Sequence, residues 1–287
     1  MASQKENSNP AVVTGKSFTA VAINTAAKAG EWIKSKLGSY GQLSLKTSAQ
    51  DLVTEVDKGS EKMIRNLIST HFPHHTFLGE ESVGQTEEEK QEAIARASEA
   101  EYVWVVDPVD GTTNFVHGFP FFSVSIALAH KGEIIVGVVY DPSRDELFVA
   151  EKGKGAYVHG NKMKVSRESE LAQCLIASGF PVDQQKTLPP NMRGLQALAP
   201  QVRNIRTSGS AALHMAYVAA GRLSGFYELG LNAWDTAAGA ILIQEAGGKV
   251  TDTLGNPYRL STRHTLASNG IVHSSLLEVI KQADAQG

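Results

Sequence analysis

Cysteine and long apolar runs are scarce in this 287-residue sequence. Its one cysteine, Cys174, excludes an intramolecular disulfide framework. No apolar run approaches the length of a membrane span, and Met1–Pro10 lacks the apolar segment of a signal peptide. We therefore expect a cytoplasmic protein with no membrane partner. Residues 1–14 are expected to form a short disordered tail, and 15–287 a single domain.

Strong net charge and several common catalytic motifs are also lacking. A formal net charge of −3 gives no sign of a nucleic-acid surface, so no nucleic-acid partner is expected. Gly15-Lys16-Ser17 resembles the end of a P-loop, but no strand precedes it. The nine histidines show no zinc-site spacing, and no G-x-S-x-G motif for acyl transfer is present.

Hydrophobic periodicity predicts alternating helices and strands. Apolar residues recur at helical spacing in two N-terminal segments, and a charged helix is expected over 86–100. Four strand-like segments then predict a mostly antiparallel sheet. They are 123–129, 134–140, 147–150 and 156–165, the last with a Gly160-Asn161 turn.

The C-terminal part, from about residue 181, is expected to form a second lobe after an N-terminal lobe of about 15–180. A loop-like stretch is predicted over 181–190 because of its prolines. Short strands then alternate with helices. The predicted elements are strands 202–205 and 225–227 and helices 211–220 and 235–246.

The most informative segment is WVVDPVDGTTNF, residues 104–115. The apolar residues before Asp107 predict a buried strand, and Pro108 forbids a simple continuation of its ladder. Asp107 and Asp110 flank this turn and can converge beyond the strand end. Carboxylates in such a place repel each other unless a cation neutralises them, and oxygen ligands favour Mg²⁺.

The residues that follow Asp110 suit a phosphate group. Gly111 and Thr112 would present backbone N–H groups at a helix N-terminus. An Asp-Pro turn followed by an ordinary N-cap is the structural alternative for this segment alone. Further acidic segments surround short apolar runs elsewhere in the chain. They are Asp51–Asp57, Phe77–Ser82 and Gly225–Asp235.

Together these segments resemble the inositol monophosphatase family, within the lithium-sensitive, magnesium-dependent sugar phosphatases. The resemblance covers roughly residues 15 to 284. Its most specific motifs are 105–117 and 234–248, supported by 51–57, 79–82 and 153–156. It implies an α/β (α+β) fold, a layered αβαβα sandwich of the inositol monophosphatase and fructose-1,6-bisphosphatase type.

The resemblance also implies a ligand set for two to three Mg²⁺ ions. Glu80, Asp107 and the carbonyl of Val109 would hold the first ion. Asp107, Asp110 and Asp235 would hold the second, so that Asp107 bridges the two. A third, mostly hydrated ion would lie near Glu80.

Catalytic and substrate roles follow from the same resemblance. Glu80 and Thr112 would orient the attacking water, with Asp57 hydrogen-bonded to Thr112. Lys46 would approach the phosphate, although a solvated loop lysine is an equal alternative. The expected substrate-binding residues are Asp110, Gly111, Thr112, Gly209, Ser210, Ala211 and Glu228.

The implied activity is hydrolysis of inositol monophosphate, or a related polyol phosphate, to inositol and phosphate. A fructose-1,6-bisphosphatase or a 3′-phosphonucleotide phosphatase is the alternative within the same chemistry. A protein- or RNA-associated regulatory factor is the alternative outside catalysis. Lithium sensitivity and a homodimer are expected from the resemblance only.

Overall fold

The computed structural model describes residues 17–38, 43–45, 52–84, 86–183 and 185–287, with only the backbone for 43–45 and 52–54. Eight α-helices occur in these ranges. They are α1 Phe18–Ser35, α2 Glu55–His71, α3 Glu87–Glu99, α4 Thr112–Val116, α5 Leu188–Leu198, α6 Ala211–Ala219, α7 Ala233–Glu245 and α8 His273–Gln282.

The described residues also form fourteen strands. They are β1 Leu43–Leu45, β2 Leu52–Thr54, β3 Thr76–Gly79, β4 Tyr102–Asp110, β5 Ser123–His130, β6 Glu133–Asp141, β7 Glu146–Glu151, β8 Gly155–Val158, β9 Asn161–Lys162, β10 Leu175–Ser178, β11 Asn204–Arg206, β12 Gly225–Glu228, β13 Lys249–Asp252 and β14 Thr265–Ser268.

The larger sheet has seven strands in the order β3-β4-β5-β6-β7-β8-β9. Only β3 and β4 pair in parallel, and every later pair is antiparallel. This confirms the prediction of a mostly antiparallel sheet. Neighbouring side chains in a strand point to opposite sides of the sheet, so the residues of β5 alternate between two buried faces. Val124 and Ile126 lie in one core, whereas Ala127 and Ala129 lie in another.

Helices cover both faces of this sheet. α1 and α2 pack on one face, and α7, beside α6, packs on the other. Small residues allow α7 to approach closely. A Cβ at Gly137 of β6 would lie 2.4 Å from Ile241 Cγ2 and 2.8 Å from the carbonyl oxygen of Ala238. A larger residue at Gly137 would therefore push α7 away from the sheet.

The smaller sheet has five strands in the order β11-β10-β12-β14-β13. β10 pairs in parallel with β11 and β12, whereas β14 pairs antiparallel with β12 and β13. α6 and α7 contact this sheet as well, and α8 packs against it beside α5. Three apolar cores fill the spaces between the resulting five layers, and one of them lies on both sides of α6 and α7. The predicted αβαβα sandwich is confirmed.

Three local predictions are wrong. Asp107 and Asp110 lie within β4, which continues to Asp110, and not in a turn beyond the strand end. The interruption of the ladder expected at Pro108 is present as a register shift between Asp107 and Asp110. The hairpin turn is His159-Gly160, both with positive φ, since Val158 pairs with Asn161. The loop-like stretch ends early, because α5 begins at Leu188 and carries its prolines in the first turn, where an unbonded N–H is normal.

Across the described part of the chain, none of the helices is both long enough and apolar enough to traverse a bilayer.

Candidate active site

Two parallel strands bring the first pair of predicted ligands together. β3 and β4 pair in register, with Gly79 opposite Val106. Glu80 directly follows Gly79 and Asp107 directly follows Val106, so both carboxylates lie at the same end of the two paired strands. A side-chain hydrogen bond joins Glu80 to Asp107. The sequence places these residues 27 positions apart, and only the parallel pairing makes them neighbours.

Asp107 is buried, with 3% of its surface exposed. Its Oδ1 accepts a hydrogen bond of 2.9 Å from the Val109 N–H, across the register shift in β4. Burial raises the pKa of Asp107 well above its ordinary value, and the charges of Glu80, Asp110 and Asp235 raise the pKa further. Glu80, Asp110 and Asp235 are therefore close enough to Asp107 for their charges to disfavour its ionisation.

Asp110 links β4 to the N-terminus of α6. Its carboxylate accepts hydrogen bonds from Ser210 Oγ, from the Ala212 N–H at 2.8 Å and from the Ala211 N–H at 3.3 Å. Burial raises the pKa of Asp110 to about 6, and the bonds from Ser210 and Ala212 oppose that rise. An acid at a helix N-terminus is stabilised by the unpaired N–H groups there.

Asp235 comes from the first turn of α7. Its Oδ2 accepts a hydrogen bond of 2.6 Å from the Asn232 N–H, as part of a capping box. Removal from water raises the pKa of Asp235 well above its ordinary value, and the charge of Glu80 adds to this rise. Asp235 and Glu80 are only half-buried, so the acidic cluster borders on solvent on their side.

Thr112 and Asp57 form the predicted hydrogen bond. Thr112 Oγ1 lies 2.7 Å from Asp57 Oδ1 and 3.1 Å from the Val109 carbonyl oxygen. A hydroxyl has one proton, and the carboxylate is the shorter and stronger acceptor. The lone pairs of Thr112 Oγ1 can therefore accept a hydrogen bond from a water molecule. The roles of these residues in catalysis stay a prediction.

Gly111 and Gly209 face each other beside this cluster. Both have positive φ, 96° and 84°. A Cβ at Gly111 would lie 3.1 Å from the carbonyl oxygens of Gly209 and Phe121. Asn114 was not predicted, yet its Nδ2 donates to the carbonyl oxygens of Phe121 and Ser208, both at 2.6 Å. Asn114 thus holds the two glycine segments together.

Glu228 lies at the end of β12 and is buried. Burial raises the pKa of Glu228 well above its ordinary value, and the charges of Asp235 and Asp110 raise it further. These charges place Glu228 beside the acidic cluster. The structure therefore brings together every predicted site residue except Lys46, which lies outside the described residues.

Helix α2 contributes two further residues that were not predicted. Ser60 Oγ donates to the Pro108 carbonyl oxygen at 3.3 Å, and Glu61 Oε2 accepts from the Glu81 N–H at 2.7 Å. With Asp57, they lie at positions i, i+3 and i+4, which share one face of a helix. This spacing was a usable signal in the sequence. α2 thus supports the segments that carry Thr112, Asp107 and Glu80.

The donor set fits a hard divalent cation. Its side chains offer only oxygen. The pKa values of Asp107, Asp110 and Asp235 are raised, and in the described residues no lysine or arginine forms an ion pair with these three acids. No three His, Cys, Asp or Glu side chains of the described part already stand as ligands around one point. Asp107, Asp110 and Asp235 instead accept hydrogen bonds from the internal donors described above.

Comparison with known proteins agrees with this geometry. The family model described as the inositol monophosphatase family matches residues 15–285. The chain belongs to the inositol monophosphatase family. Members of this family are phosphatases that depend on metal ions.

Relatives within the family carry two kinds of name. The chain is 40% identical over 263 residues to a protein of Pasteurella multocida named Nus factor SuhB, covering 91% of this chain and 94% of that protein. It is 39% identical over 269 residues to inositol monophosphatase 2 of Solanum lycopersicum, covering 93% and 99%. The crystal structure of the extragenic suppressor protein suhB from Bartonella henselae superposes with a TM-score of 0.82 at 39% identity, covering 92% of this chain and 98% of that one.

Proposed function

We propose that this protein is a Mg²⁺-dependent phosphomonoesterase that hydrolyses inositol monophosphate to inositol and phosphate. The observation that carries the proposal is that Asp107 is buried and that the charges of Glu80, Asp110 and Asp235 act on it. Membership of the family supports the same reading.

The ligands for Mg²⁺ in this proposal are Glu80, Asp107, the Val109 carbonyl, Asp110 and Asp235. Two to three bound ions would lower the pKa of water and screen the charge of the phosphoryl group. The carboxylates must give up part of their internal hydrogen bonding to serve as ligands. Their mutual repulsion supplies a reason to do so, because a cation removes the cost of several buried charges.

The protein groups around the phosphoryl site have separate tasks. Thr112 Oγ1 and Glu80 accept hydrogen bonds from the attacking water, and Asp57 keeps the Thr112 proton pointed away from it. The N–H groups of Gly111 and Thr112 donate to phosphoryl oxygens. Glu228 accepts hydrogen bonds from the polyol hydroxyls, next to the backbone of 209–211. Lys46 stays a proposed contact to phosphate.

The decisive experiment measures phosphate release from inositol 1-phosphate, fructose 1,6-bisphosphate and 3′-phosphoadenosine 5′-phosphate, with Mg²⁺ and with a chelator. Chelator-sensitive preference for the inositol ester supports the proposal. Preference for fructose 1,6-bisphosphate or for 3′-phosphoadenosine 5′-phosphate would agree with the metal chemistry and would indicate the corresponding alternative phosphatase. No release from any ester would count against the enzyme.

A second candidate function rests on the relatives that are named Nus factor SuhB. The protein would then act in a complex with protein or RNA, with or without catalysis. Copurification of a transcription component with the Asp107→Asn variant would support that role independently of turnover.

Three further properties belong to the proposal. We infer a cytoplasmic protein, a homodimer and inhibition by Li⁺. Activity unchanged by Li⁺ far above the Mg²⁺ concentration would contradict the inhibition. A monomeric mass in light scattering would contradict the homodimer. The division into lobes near residue 180 also stays a prediction.

A further inference from the structure

The Glu228 carboxylate lies directly against the backbone of another strand end. A Cβ at Gly179 would lie 2.4 Å from both carboxylate oxygens of Glu228. Such distances are far inside van der Waals contact, so Gly179 forms one wall of the space that holds this carboxylate. The position of Glu228 therefore depends on how the chain after β10 lies relative to the chain after β12.

Asn191 of α5 joins these two segments. Its Nδ2 donates to the Gly179 carbonyl oxygen at 2.9 Å, and its Oδ1 accepts from the Leu229 N–H at 3.1 Å. The residue is completely buried. The ladder between β10 and β12 ends at Ser178 and Tyr227, so the Asn191 bonds extend the link beyond the sheet. The Asn191 amide group thus bridges the segment after β10 and the segment after β12, beside Glu228.

We propose that Asn191 is a positioning residue for recognition of the polyol part of the substrate, acting through Glu228. The inference rests on the proposed function, in which Glu228 accepts hydrogen bonds from substrate hydroxyls. Without the amide, Gly179 and Leu229 lose their common partner, and the carboxylate loses its oriented position. The proposed phosphoryl-handling acids lie on β4, on α7 and just after β3, so the effect falls mainly on binding of the polyol.

Two substitutions remove the link in different ways. Asn191→Ala removes both bonds. Asn191→Asp keeps an acceptor for the Leu229 N–H but sets an oxygen against the Gly179 carbonyl. A third variant, Gly179→Ala, displaces the Glu228 carboxylate while both Asn191 bonds can remain. It tests whether the position of Glu228 governs polyol recognition, which is the step through which Asn191 is proposed to act.

Asn269 provides a matched control. It is buried, with 3% of its surface exposed, and its side chain also joins backbone segments, through Glu168 and Ile271. It follows β14, whose Ser268 pairs with Gly225 at the opposite end of β12 from Glu228. Asn269→Ala therefore removes a similar bridge away from the proposed polyol site.

The measurement is kcat and KM in Mg²⁺ for inositol 1-phosphate and for p-nitrophenyl phosphate, which has no polyol, together with thermal midpoints. We expect the Asn191 variants and Gly179→Ala to raise KM for the inositol ester about tenfold relative to the change for p-nitrophenyl phosphate. Asn269→Ala should lower the midpoint without changing this ratio.

The outcomes separate the two proposals. An active wild-type protein whose KM ratio rises in Gly179→Ala but in neither Asn191 variant would overturn the role of Asn191 alone. An unchanged ratio in all three variants would overturn the role of Glu228 as well. Equal shifts of the ratio in Asn191→Ala and Asn269→Ala would also overturn the role of Asn191, because they would indicate a general loss of structure. A wild-type protein inactive toward both esters would overturn the proposed function and this inference with it.

Discussion

Thr112 Oγ1 and Asp57 Oδ1 lie 2.7 Å apart, although 55 positions separate them in the chain. Asp57 is in the first turn of α2 and is buried, and Thr112 begins α4. Since an ionised carboxylate can only accept, the hydroxyl proton is directed toward Asp57. This relationship gives Thr112 a defined orientation toward the proposed water.

Thr112→Val should therefore lower kcat about 100-fold or more, because it removes the oriented oxygen while keeping the size of the side chain. Thr112→Ser retains the hydroxyl and should remain within about tenfold of wild type. Both are checked by steady-state kinetics at saturating Mg²⁺. Equal activity of Val and Ser variants would show that the hydroxyl has no part in turnover.

Asp107→Asn should abolish turnover and at the same time stabilise the protein in the presence of a chelator. The substitution replaces a carboxyl group whose ionisation is unfavourable beside three other acids, and the Asn oxygen can still accept from the Val109 N–H. Thermal unfolding with and without Mg²⁺ checks this. We expect a higher midpoint than wild type in chelator and a smaller increase on adding Mg²⁺. Retained activity in this variant would refute the ligand assignment.

Mg²⁺ affinity should rise with pH. The pKa values of Asp107 and Asp235 are raised well above normal, and that of Asp110 to about 6, so below these values the cation must displace protons. The raised values also mean that the metal-free fold loses stability as pH increases through them. Calorimetric titration at pH 6 and pH 7.5 in two buffers measures affinity and proton release. An affinity independent of pH would contradict this prediction.

His214 should make the fold sensitive to acid. Burial lowers its pKa from 6.5 to about 4, and its Nε2 accepts from the Ser208 N–H at 3.2 Å. Between these pH values the unfolded chain binds more protons than the folded one, so stability falls as pH decreases through this window. At pH 5 the cost is about 2 kcal/mol.

Urea unfolding of wild type and His214→Gln at pH 7 and pH 5 tests this effect. The variant should lose less stability than wild type between the two pH values, even if it is less stable at pH 7. An identical loss in both proteins would show that His214 does not titrate in this way.

The local motif around Asp107 was open to prediction because its meaning lies within a dozen residues. A buried strand and a helix start follow one another along the chain, whereas the register shift that keeps Asp107 and Asp110 inside β4 was not predicted. The bonds of Asn191 could not be predicted in this way. Its partners, Gly179 and Leu229, are 12 and 38 positions away and contribute only backbone atoms, which carry no residue-type signal.

The sequence by itself determined the alternation that separates the two faces of β5, the acidic segments and the motifs of the inositol monophosphatase family. Those features depend on residue type and spacing, which are properties of the chain. Only the tertiary structure decided that Asp110 joins the N-terminus of α6, about 100 residues later, and that α5 supports Glu228 through Asn191. Such bonds form because layers that are distant in sequence pack together, and buried polar groups then take whichever partner the packing brings within reach.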